Sequence, residues 1–501
     1  MSYSHYDRLT ALDASFLGLE NHNVHMHVGS VGLFELGPLK GPHGGLDMER
    51  VWAASDVNLA HHARFRQKLA FVPALGNPVW VDDERFNLSY HVRHAALPPP
   101  GDERQLKRLA GRIMSQQLDR GKPLWELWFV EGLEGHRFAV ITKVHHCMID
   151  GVSGVDLMSA MMHPDKDAAL RTPPRWVPRP APAPWRLLAD EIVRRASLPL
   201  EVARGGRMLL TRPRQTVTAL GEAVEGLGEA LWAGLAPASA TPLNGDIGPH
   251  RRFDWLKADL EVAKGVSRRL GGTLNDVVLA TVAGAMRRFL RNRGERVEDL
   301  TFRAMVPVNL RATVDRGRLG NRVAFMMAPL PLAERSPEGR LRAMSETMQR
   351  LKQSRQRHGA ELLEEVSDRI ASGLFMQVAR LGARTLPYNI VVTNVPGPQV
   401  PVYLLGAPLR EVYPLVPLFT NQGLGIALFS YDGGLFWGFN ADWDAVPDLH
   451  EIVEAVAGEC DALQRLAANA PASLPARAMP RRLGRPRQRS AARRRRTVAR
   501  G

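Results

Sequence analysis

The segment HHCMIDG, residues 145–151, combines residue types and a spacing that could support chemistry. It places two adjacent histidines, His145 and His146, ahead of an Asp-Gly pair, Asp150-Gly151. A histidine can accept the proton of a hydroxyl while that hydroxyl attacks a carbonyl carbon, and general base catalysis of this kind contributes ~10²–10⁴-fold to a rate. An Asp-Gly pair is typical of a turn. The segment therefore predicts a histidine base held at a tight turn.

The residues before the histidines predict the element that positions them. Apolar and β-branched residues dominate Leu127 to Val130 and Phe138 to His145, around Gly132 and Gly135. This pattern predicts a β-hairpin whose second strand ends at the histidine pair. Because successive strand residues face opposite sides, only one of the two histidines can point into a given cavity.

Three other residues or pairs of residues invite a chemical interpretation. The pair His61-His62 lies in the polar stretch AHHARFRQK without a following Asp-Gly, which favours a solvated helix face. Cys147 is a candidate nucleophile beside a histidine, but on an extended chain it should face away from His146. Cys460 lies on the apolar side of EIVEAVAGECDAL, which favours a core position.

The second half of the chain offers one polar pair at a helix start, Asn275-Asp276. Thr273 precedes the predicted helix with an acid three residues on, so a capping box gives Asp276 a structural role. Asn275 lies in the first turn, where amide donors and the helix dipole can meet a developing negative charge. The alternative is a polar residue tolerated at a helix start, and periodicity alone favours that alternative.

Length and composition indicate two folded domains and a connector. A chain of 501 residues is too long for one ordinary core. Closely spaced prolines after His163 exclude a helix interior or a central strand and indicate a connector. The predicted divisions are an N-terminal domain with the histidine motif over residues 1–162, a proline-rich and helical connector over 163–250, a C-terminal domain over 251–470, and a tail over 471–501.

Helices and strands mingle in both predicted domains, so the predicted fold class is α/β or α+β. Amphipathic spacing predicts helices, and apolar β-branched runs predict strands. Besides the hairpin, the predicted helices are 104–118, 187–196, 216–235, 259–270, one ending near 292, two between 336 and 381, and 448–466; the predicted strands are 302–310, 322–332, 389–394, 425–431 and 435–440.

Composition excludes several classes of protein. No apolar run approaches the roughly 20 residues that a membrane-spanning helix needs, and the start MSYSHYDRLTALD lacks the pattern of a signal peptide. Two cysteines argue against a disulfide framework and fit a reducing cytoplasm. The sequence contains no Walker-type loop, dinucleotide fingerprint or HExxH motif, so we expect neither a metal nor a cofactor.

The net charge of +15 is concentrated at the C-terminus. Residues 474–501 contain eleven arginines and no acidic residue, and we expect this tail to be disordered. It could attract anionic lipid head groups, at about 1 kcal/mol per basic residue, or be an arginine-rich extension without a partner. No aromatic residue interleaves with the arginines, which disfavours nucleic-acid binding.

Several segments together carry a resemblance to a known family. HHCMIDG resembles the HHxxxDG signature of wax ester synthase/diacylglycerol acyltransferases, peptide-synthetase condensation domains and chloramphenicol acetyltransferase-like enzymes. Five further segments are similar to the wax ester synthase/diacylglycerol acyltransferase family in particular, and the resemblance runs from about Leu9 to Leu466. They are LDASFL at Leu12–Leu17, PLW at Pro123–Trp125, TPLNGDIGPHRRF at Thr241–Phe253, LNDVV at Leu274–Val278 and NVPGP at Asn394–Pro398. The resemblance implies two chloramphenicol acetyltransferase-like domains joined by a long connector.

The resemblance also implies roles for the motif residues. His146 would be the catalytic base, His145 would support the local structure, and Asp150, followed by Gly151, would hold the motif by pairing with an arginine. Transfer in the family is direct, which makes Cys147 a bystander.

Roles outside the motif are implied as well. Asn275 would bind the oxyanion of the thioester. Pro123, Leu124 and Trp125 would lie near the acceptor channel, or would be ordinary packing residues. The NVPGP segment would form a turn that shapes the floor between the domains.

The implied function is transfer of a fatty acyl group from acyl-CoA to diacylglycerol, giving triacylglycerol, or to a long-chain alcohol, giving wax ester. His146 would lie at the domain interface, facing a tunnel open to both substrates, with acyl-CoA as donor substrate and no cofactor. The expected location is the cytoplasm, in peripheral contact with the inner membrane or lipid inclusions. The alternatives are a condensation-type or polyketide-associated acyltransferase of the same superfamily, and a noncatalytic protein that coats lipid inclusions.

Overall fold

The computed structural model describes residues 6–148, 157–194, 196, 237–309, 323–357 and 387–470, except 75, 77, 170, 171 and 173–175. Four sequence-based expectations lie outside these residues. They are the placement of Asp150 and Gly151, the helix 216–235, the second helix between 336 and 381, and the tail.

The described strands form two six-stranded sheets and one small sheet. The strands are β1 (Asp7–Arg8), β2 (His27–Glu35), β3 (Gln67–Phe71), β4 (Pro78–Asp82), β5 (Val92–Ala96), β6 (Trp125–Leu133), β7 (Arg137–His145), β8 (Arg251–Asp259), β9 (Arg303–Asn309), β10 (Val323–Pro329), β11 (Ile390–Pro396), β12 (Tyr403–Leu404), β13 (Ala407–Leu415), β14 (Leu424–Tyr431) and β15 (Gly434–Asp442). The first large sheet has the order β12-β13-β2-β7-β6-β5, and the second has the order β10-β9-β11-β14-β15-β8. The small sheet has the order β1-β4-β3.

Helices cover the sheets and connect their strands. They are α1 (Ala11–Leu19), α2 (Met48–Ala60), α3 (Leu88–His91), α4 (Glu103–Met114), α5 (Leu157–Met161), α6 (184–194), α7 (Leu260–Leu270), α8 (Leu274–Asn292), α9 (Pro337–Arg357) and α10 (Leu449–Asn469). One hydrophobic core covers residues of the first half together with residues 253, 255 and several between 402 and 436, and a second core lies within the second half. Helix α8 packs against α7, α9 and α10. None of the helices within the described ranges is both long enough and apolar enough to cross a bilayer.

The predicted hairpin is confirmed as β6 and β7, with Trp125 opposite Val144. Gly135 adopts a φ of 75° in the connecting turn, a conformation that glycine reaches without steric cost. Strand β7 also pairs with β2 on its other side, which places His27 opposite His145. Because both edges of β7 are paired and nearly every residue is buried, the strand holds the histidine pair rigidly.

Most predicted elements of the second half are also confirmed, with shifted ends. Helix α7 begins after Asp259, whose side chain accepts the N–H of Val262, and it ends at Gly271 with a φ of 90°. In the first half, α4 ends earlier than predicted, because the Ser115 hydroxyl donates to the Gly111 carbonyl and also accepts the N–H of Arg251. This second bond ties α4 to the first residue of β8.

Two consecutive strands of the second half, β12 and β13, belong to the first sheet. Strand β13 follows β11 in the chain but pairs antiparallel with β2 in the first sheet. It also packs closely on β15, where a Cβ atom on Gly438 would lie 1.8 Å from the carbonyl oxygen of Pro414. The sheets therefore do not follow the predicted division at residue 251, since residues 403–415 of the second half complete the first sheet.

Candidate active site

The histidine pair lies where β7 ends and a short 3-10 turn, His146–Met148, begins. Three hydrogen bonds hold this junction. The backbone N–H of His145 donates to the carbonyl of Leu124 at 3.0 Å, and that of His146 donates to the carbonyl of Met26 at 2.7 Å. The N–H of Cys147 donates to Nδ1 of His145 at 3.1 Å. The turn is therefore tied to three separate groups.

The ring of His146 stacks on Phe16 of α1, with ring centroids 3.9 Å apart and planes inclined by 26°. Burial, together with a smaller effect of the adjacent His145, lowers the pKa of His146 to about 4. His146 is therefore neutral at physiological pH. Its Nδ1 is buried and has no hydrogen-bond partner among the described residues, so Nε2 is the nitrogen that a substrate hydroxyl could reach.

Phe16 belongs to a small apolar cluster that both halves of the chain build. Its members come from α1, the segment before β2, the connector and the segment after β13. They are Phe16, Val24, Met26, Ile247 and Leu418, with Leu19 and Phe419 packed against them. The neutral histidine thus borders an apolar region at the junction of the two sheets, which suits a lipid substrate better than a polar one.

His145 is fully buried and faces a carboxylate. Because Nδ1 of His145 accepts the N–H of Cys147, its ring proton resides on Nε2, which lies 3.5 Å from Oε2 of Glu20. Arg120 donates to the same Oε2 through Nε at 3.1 Å and through Nη2 at 2.7 Å. Burial alone would raise the pKa of Glu20, but His145 and Arg120 outweigh it and lower the pKa to about 2. Glu20 is therefore ionised although its side chain is only 1% exposed.

Glu20 is the residue of this site that the sequence analysis missed. A glutamate just after a helix is usually solvated, and its partner Arg120 lies 100 residues away in the chain. The nearest local signal was the pattern VHMHV at residues 24–28, which places His25 and His27 on one face of a strand that precedes the motif. Both of these histidines are buried.

Cys147 is 2% exposed, and burial raises the pKa of its thiol well above the ordinary value, with the charges of Asp13 and Glu20 adding to the effect. A thiol in this environment does not form the thiolate that nucleophilic catalysis needs. The chain at Cys147 forms a 3-10 turn and is not extended. The interpretation that Cys147 takes no part in transfer therefore rests on its burial and not on the alternation of side chains along a strand.

The predicted channel residues lie directly beside the motif. The carbonyl of Leu124 receives the N–H of His145, as described above. Trp125 is fully buried, stacks on His91 with centroids 4.5 Å apart, and donates from Nε1 to the carbonyl of Phe65 at 2.8 Å. Pro123 is also buried. These are packing contacts that support the end of β7, and a role in the acceptor channel stays a prediction.

The predicted capping box at the start of α8 is present. The Thr273 hydroxyl accepts the N–H of Asp276 at 3.3 Å, and Oδ2 of Asp276 accepts the N–H of Thr273 at 2.8 Å. Asn275 is half-buried in this first turn, within the helical layer of the second half. The described contacts do not bring Asn275 to the histidine turn, so its binding of an oxyanion stays a prediction.

The NVPGP segment ends β11 against β14. The N–H of Gly397 donates to the carbonyl of Ser430 at 2.9 Å, and a Cβ atom at this position would lie 2.3 Å from the ring of Phe429. Only glycine fits this close approach. The geometry gives the segment a structural explanation.

The fold has two mixed six-stranded sheets, and strands β12 and β13 of the second half complete the first one. With the HHxxxDG histidine beside the cluster that both halves build, this fold defines an acyltransferase of the chloramphenicol acetyltransferase-like class. Residues 9–278 match the wax ester synthase/diacylglycerol acyltransferase catalytic domain, and residues 319–464 match the C-terminal domain of the same enzymes. The chain therefore belongs to the wax ester synthase/diacylglycerol acyltransferase family, as its motifs predict.

Individual relatives agree with this assignment. A probable diacylglycerol O-acyltransferase of Mycobacterium tuberculosis is 33% identical over 477 residues, which cover 92% of this chain and 96% of the relative. The solved structure of the wax ester synthase/diacylglycerol acyltransferase from Marinobacter aquaeolei VT8 is 27% identical, with a TM-score of 0.65 over 92% of this chain and 100% of that one. A condensation domain of the calcium-dependent antibiotic synthetase shares the fold at 19% identity and a TM-score of 0.57. The predicted fold class is confirmed.

The burial of Cys147 predicts that its thiol takes no part in transfer. Cys147→Ala should retain most of the activity, since no bond of the proposed transfer involves sulfur on the protein. Mass spectrometry of wild-type protein incubated with acyl-CoA alone should find no acyl adduct. A hydroxylamine-sensitive adduct at Cys147 would instead establish a two-step mechanism through a thioester.

Proposed function

We propose that this protein transfers a fatty acyl group from acyl-CoA to the hydroxyl of diacylglycerol, giving triacylglycerol, or of a long-chain alcohol, giving wax ester. The observation that carries the proposal is the neutral His146 stacked on Phe16 beside an apolar cluster that both halves build. The names of the relatives support acyl transfer to diacylglycerol and the synthesis of wax esters.

In the proposed reaction, Nε2 of His146 accepts the proton of the acceptor hydroxyl as the oxygen attacks the thioester carbon. A carbon–oxygen bond forms, the carbon–sulfur bond breaks, and the leaving thiolate of CoA takes the proton back from His146. The histidine is unchanged at the end of the cycle. The depressed pKa of His146 keeps the ring unprotonated before attack, which is the state that a general base requires.

Helix α6 supports the proposed contact with a lipid surface. Trp185, Ile192 and Val193 are 72%, 56% and 69% exposed on one side of the helix. Leu187 and Glu191 lie on the opposite side, where both are buried and Glu191 pairs with Arg8. A helix anchored on one face that exposes tryptophan and aliphatic side chains on the other is typical of elements that lie in a membrane interface.

The tail supports the same contact through charge, because eleven arginines are attracted to anionic head groups. We therefore propose peripheral association with the inner membrane or with lipid inclusions, through α6 and the tail together.

The proton transfer predicts that His146→Ala lowers the rate of acyl transfer by at least ~10²-fold while the protein stays folded. The measurement is formation of labelled product from radiolabelled palmitoyl-CoA with diacylglycerol or hexadecanol. The exposed His61 provides the matched control, and His61→Ala should be as active as wild type. His145→Ala should lower stability, and it should lower the rate less than His146→Ala does, because the His145 ring supports the turn without touching the substrate. Wild-type rates for the His146 variant would show that His146 is not the base. Absence of any acyl transfer by the wild-type protein would instead favour the noncatalytic coat protein.

The lipid-contact proposal predicts that two changes weaken binding to phosphatidylglycerol vesicles in different ways. Removing residues 474–501 should abolish the salt-sensitive part of binding, since the Debye length falls from about 10 Å at 0.1 M salt to about 3 Å at 1 M. Trp185→Ser, Ile192→Ser and Val193→Ser combined should weaken the part that persists at high salt.

Co-sedimentation at both salt concentrations measures these effects. A control combines Phe71→Ser, Val400→Ser and Trp443→Ser, three exposed apolar residues elsewhere on the protein, and should bind as wild type does. Equal binding by the wild type, the truncated protein, the α6 variant and the control variant would rule out both α6 and the tail as the lipid contact.

A further inference from the structure

The buried carboxylate of Glu20 does more than balance a charge. A carboxylate removed from water costs free energy unless it is paired and hydrogen-bonded, and a charge partner alone often fails to recover that cost. Arg120 provides the charge partner, but it is 35% exposed and contacts only Oε2. The fold therefore keeps Glu20 in a buried position where an apolar side chain would cost less.

The remaining contacts of Glu20 explain what it holds. Oε2 faces the Nε2–H of His145 at 3.5 Å, while Oε1 accepts the backbone N–H of Met26 at 3.4 Å and lies 3.5 Å from Nε2 of His27. Arg120 also donates to the carbonyl of Leu17 at 2.9 Å, which fixes the ion pair to the end of α1. One carboxylate thus lies between a ring and a backbone segment that are distant in sequence.

Those two groups provide two of the three hydrogen bonds that hold the histidine turn. Nδ1 of His145 accepts the N–H of Cys147 at 3.1 Å, and the carbonyl of Met26 accepts the N–H of His146 at 2.7 Å. Each oxygen of Glu20 is therefore one contact away from a backbone N–H in the turn that presents His146.

We propose that Glu20 is a positioning residue for His146. Neutralised by Arg120, it holds the His145 ring with one oxygen and the Met26 backbone with the other, and these two groups fix the turn at its N–H groups. The role of Glu20 in catalysis rests on the proposed function of His146 as the base. The role of Glu20 in holding the turn does not depend on that function. The structural part and the catalytic part of the proposal can therefore fail separately.

Glutamine is the informative replacement, because it keeps the size of Glu20 but can accept on one side only. Arg120 will keep the amide oxygen at the position of Oε2, which turns the amide NH₂ toward the N–H of Met26. The NH₂ can donate to Nε2 of His27, which already accepts the N–H of Leu118. It cannot accept the N–H of Met26, so the Met26 segment loses this bond and shifts. The carbonyl that receives the N–H of His146 moves with it.

The first readout is hydrogen exchange in the full-length protein. In Glu20→Gln, the backbone amides of His146 and Cys147 should exchange at least ~10-fold faster, while amides in the middle of β7 keep their wild-type rates. If Glu20 only stabilised the fold, Glu20→Gln would instead accelerate exchange along the whole of β7. Unchanged exchange at both amides would overturn the proposal.

The second readout is the division between kcat and KM. Glu20→Gln should lower kcat by ~10- to 100-fold, the range typical of groups that orient a functional histidine from behind, with KM changed less than about twofold. The control is Glu459→Gln, which removes a carboxylate paired with the buried Arg340 in the second half and should leave kcat unchanged. Wild-type kcat in Glu20→Gln would overturn the catalytic part of the proposal.

A double variant separates positioning from charge balance. Glu20→Met with Arg120→Met removes both charges, so the unfolding midpoint should return toward the wild-type value. If Glu20 positions the turn, kcat stays low and exchange at His146 and Cys147 stays fast. Recovery of kcat in the double variant would show that only charge balance mattered. Failure of the proposed base would appear elsewhere, as wild-type activity in His146→Ala.

Discussion

The backbone N–H of His146 donates a 2.7 Å hydrogen bond to the carbonyl of Met26, and the placement of the site depends on this bond. It joins the end of β7 to the segment that leads from α1 into β2. The same segment and α1 supply Phe16 and Met26 to the apolar cluster beside the imidazole ring. Strand β13 then completes the first sheet from the far end of the chain, so the fold of both halves is needed to build one short turn.

Burial of His146 favours one property that a general base needs and weakens another. A pKa near 4 keeps the ring neutral and ready to accept a proton, but it also makes the ring a weak base. Most of the acceleration must then come from holding the thioester and the hydroxyl together in a region from which water is excluded. A lipid acceptor suits this arrangement, because its acyl chains fill apolar space that water would otherwise occupy.

Local patterns explain what the sequence could predict. The hairpin around Gly135, the capping box at Thr273 and most of the helices and strands of the second half follow from spacing within a few residues. Strand β13 was missed, since its prolines at positions 408 and 414 disfavour a strand and its partner β2 lies far away in the chain. The burial of Glu20 was missed for the same physical reason, because only tertiary contact with Arg120 makes a buried carboxylate tolerable.

The dependence of kcat/KM on pH, measured with acyl-CoA and a water-soluble alcohol, tests most directly whether an enclosed, neutral His146 is the base. Protonation of His146 removes its ability to accept a proton, so activity should fall as the pH falls through the pKa of this residue. The account predicts a constant kcat/KM from pH 8 to about 5 and a decline centred near 4, with circular dichroism confirming that the protein stays folded. A decline centred near 6.5, the ordinary pKa of histidine, would contradict it.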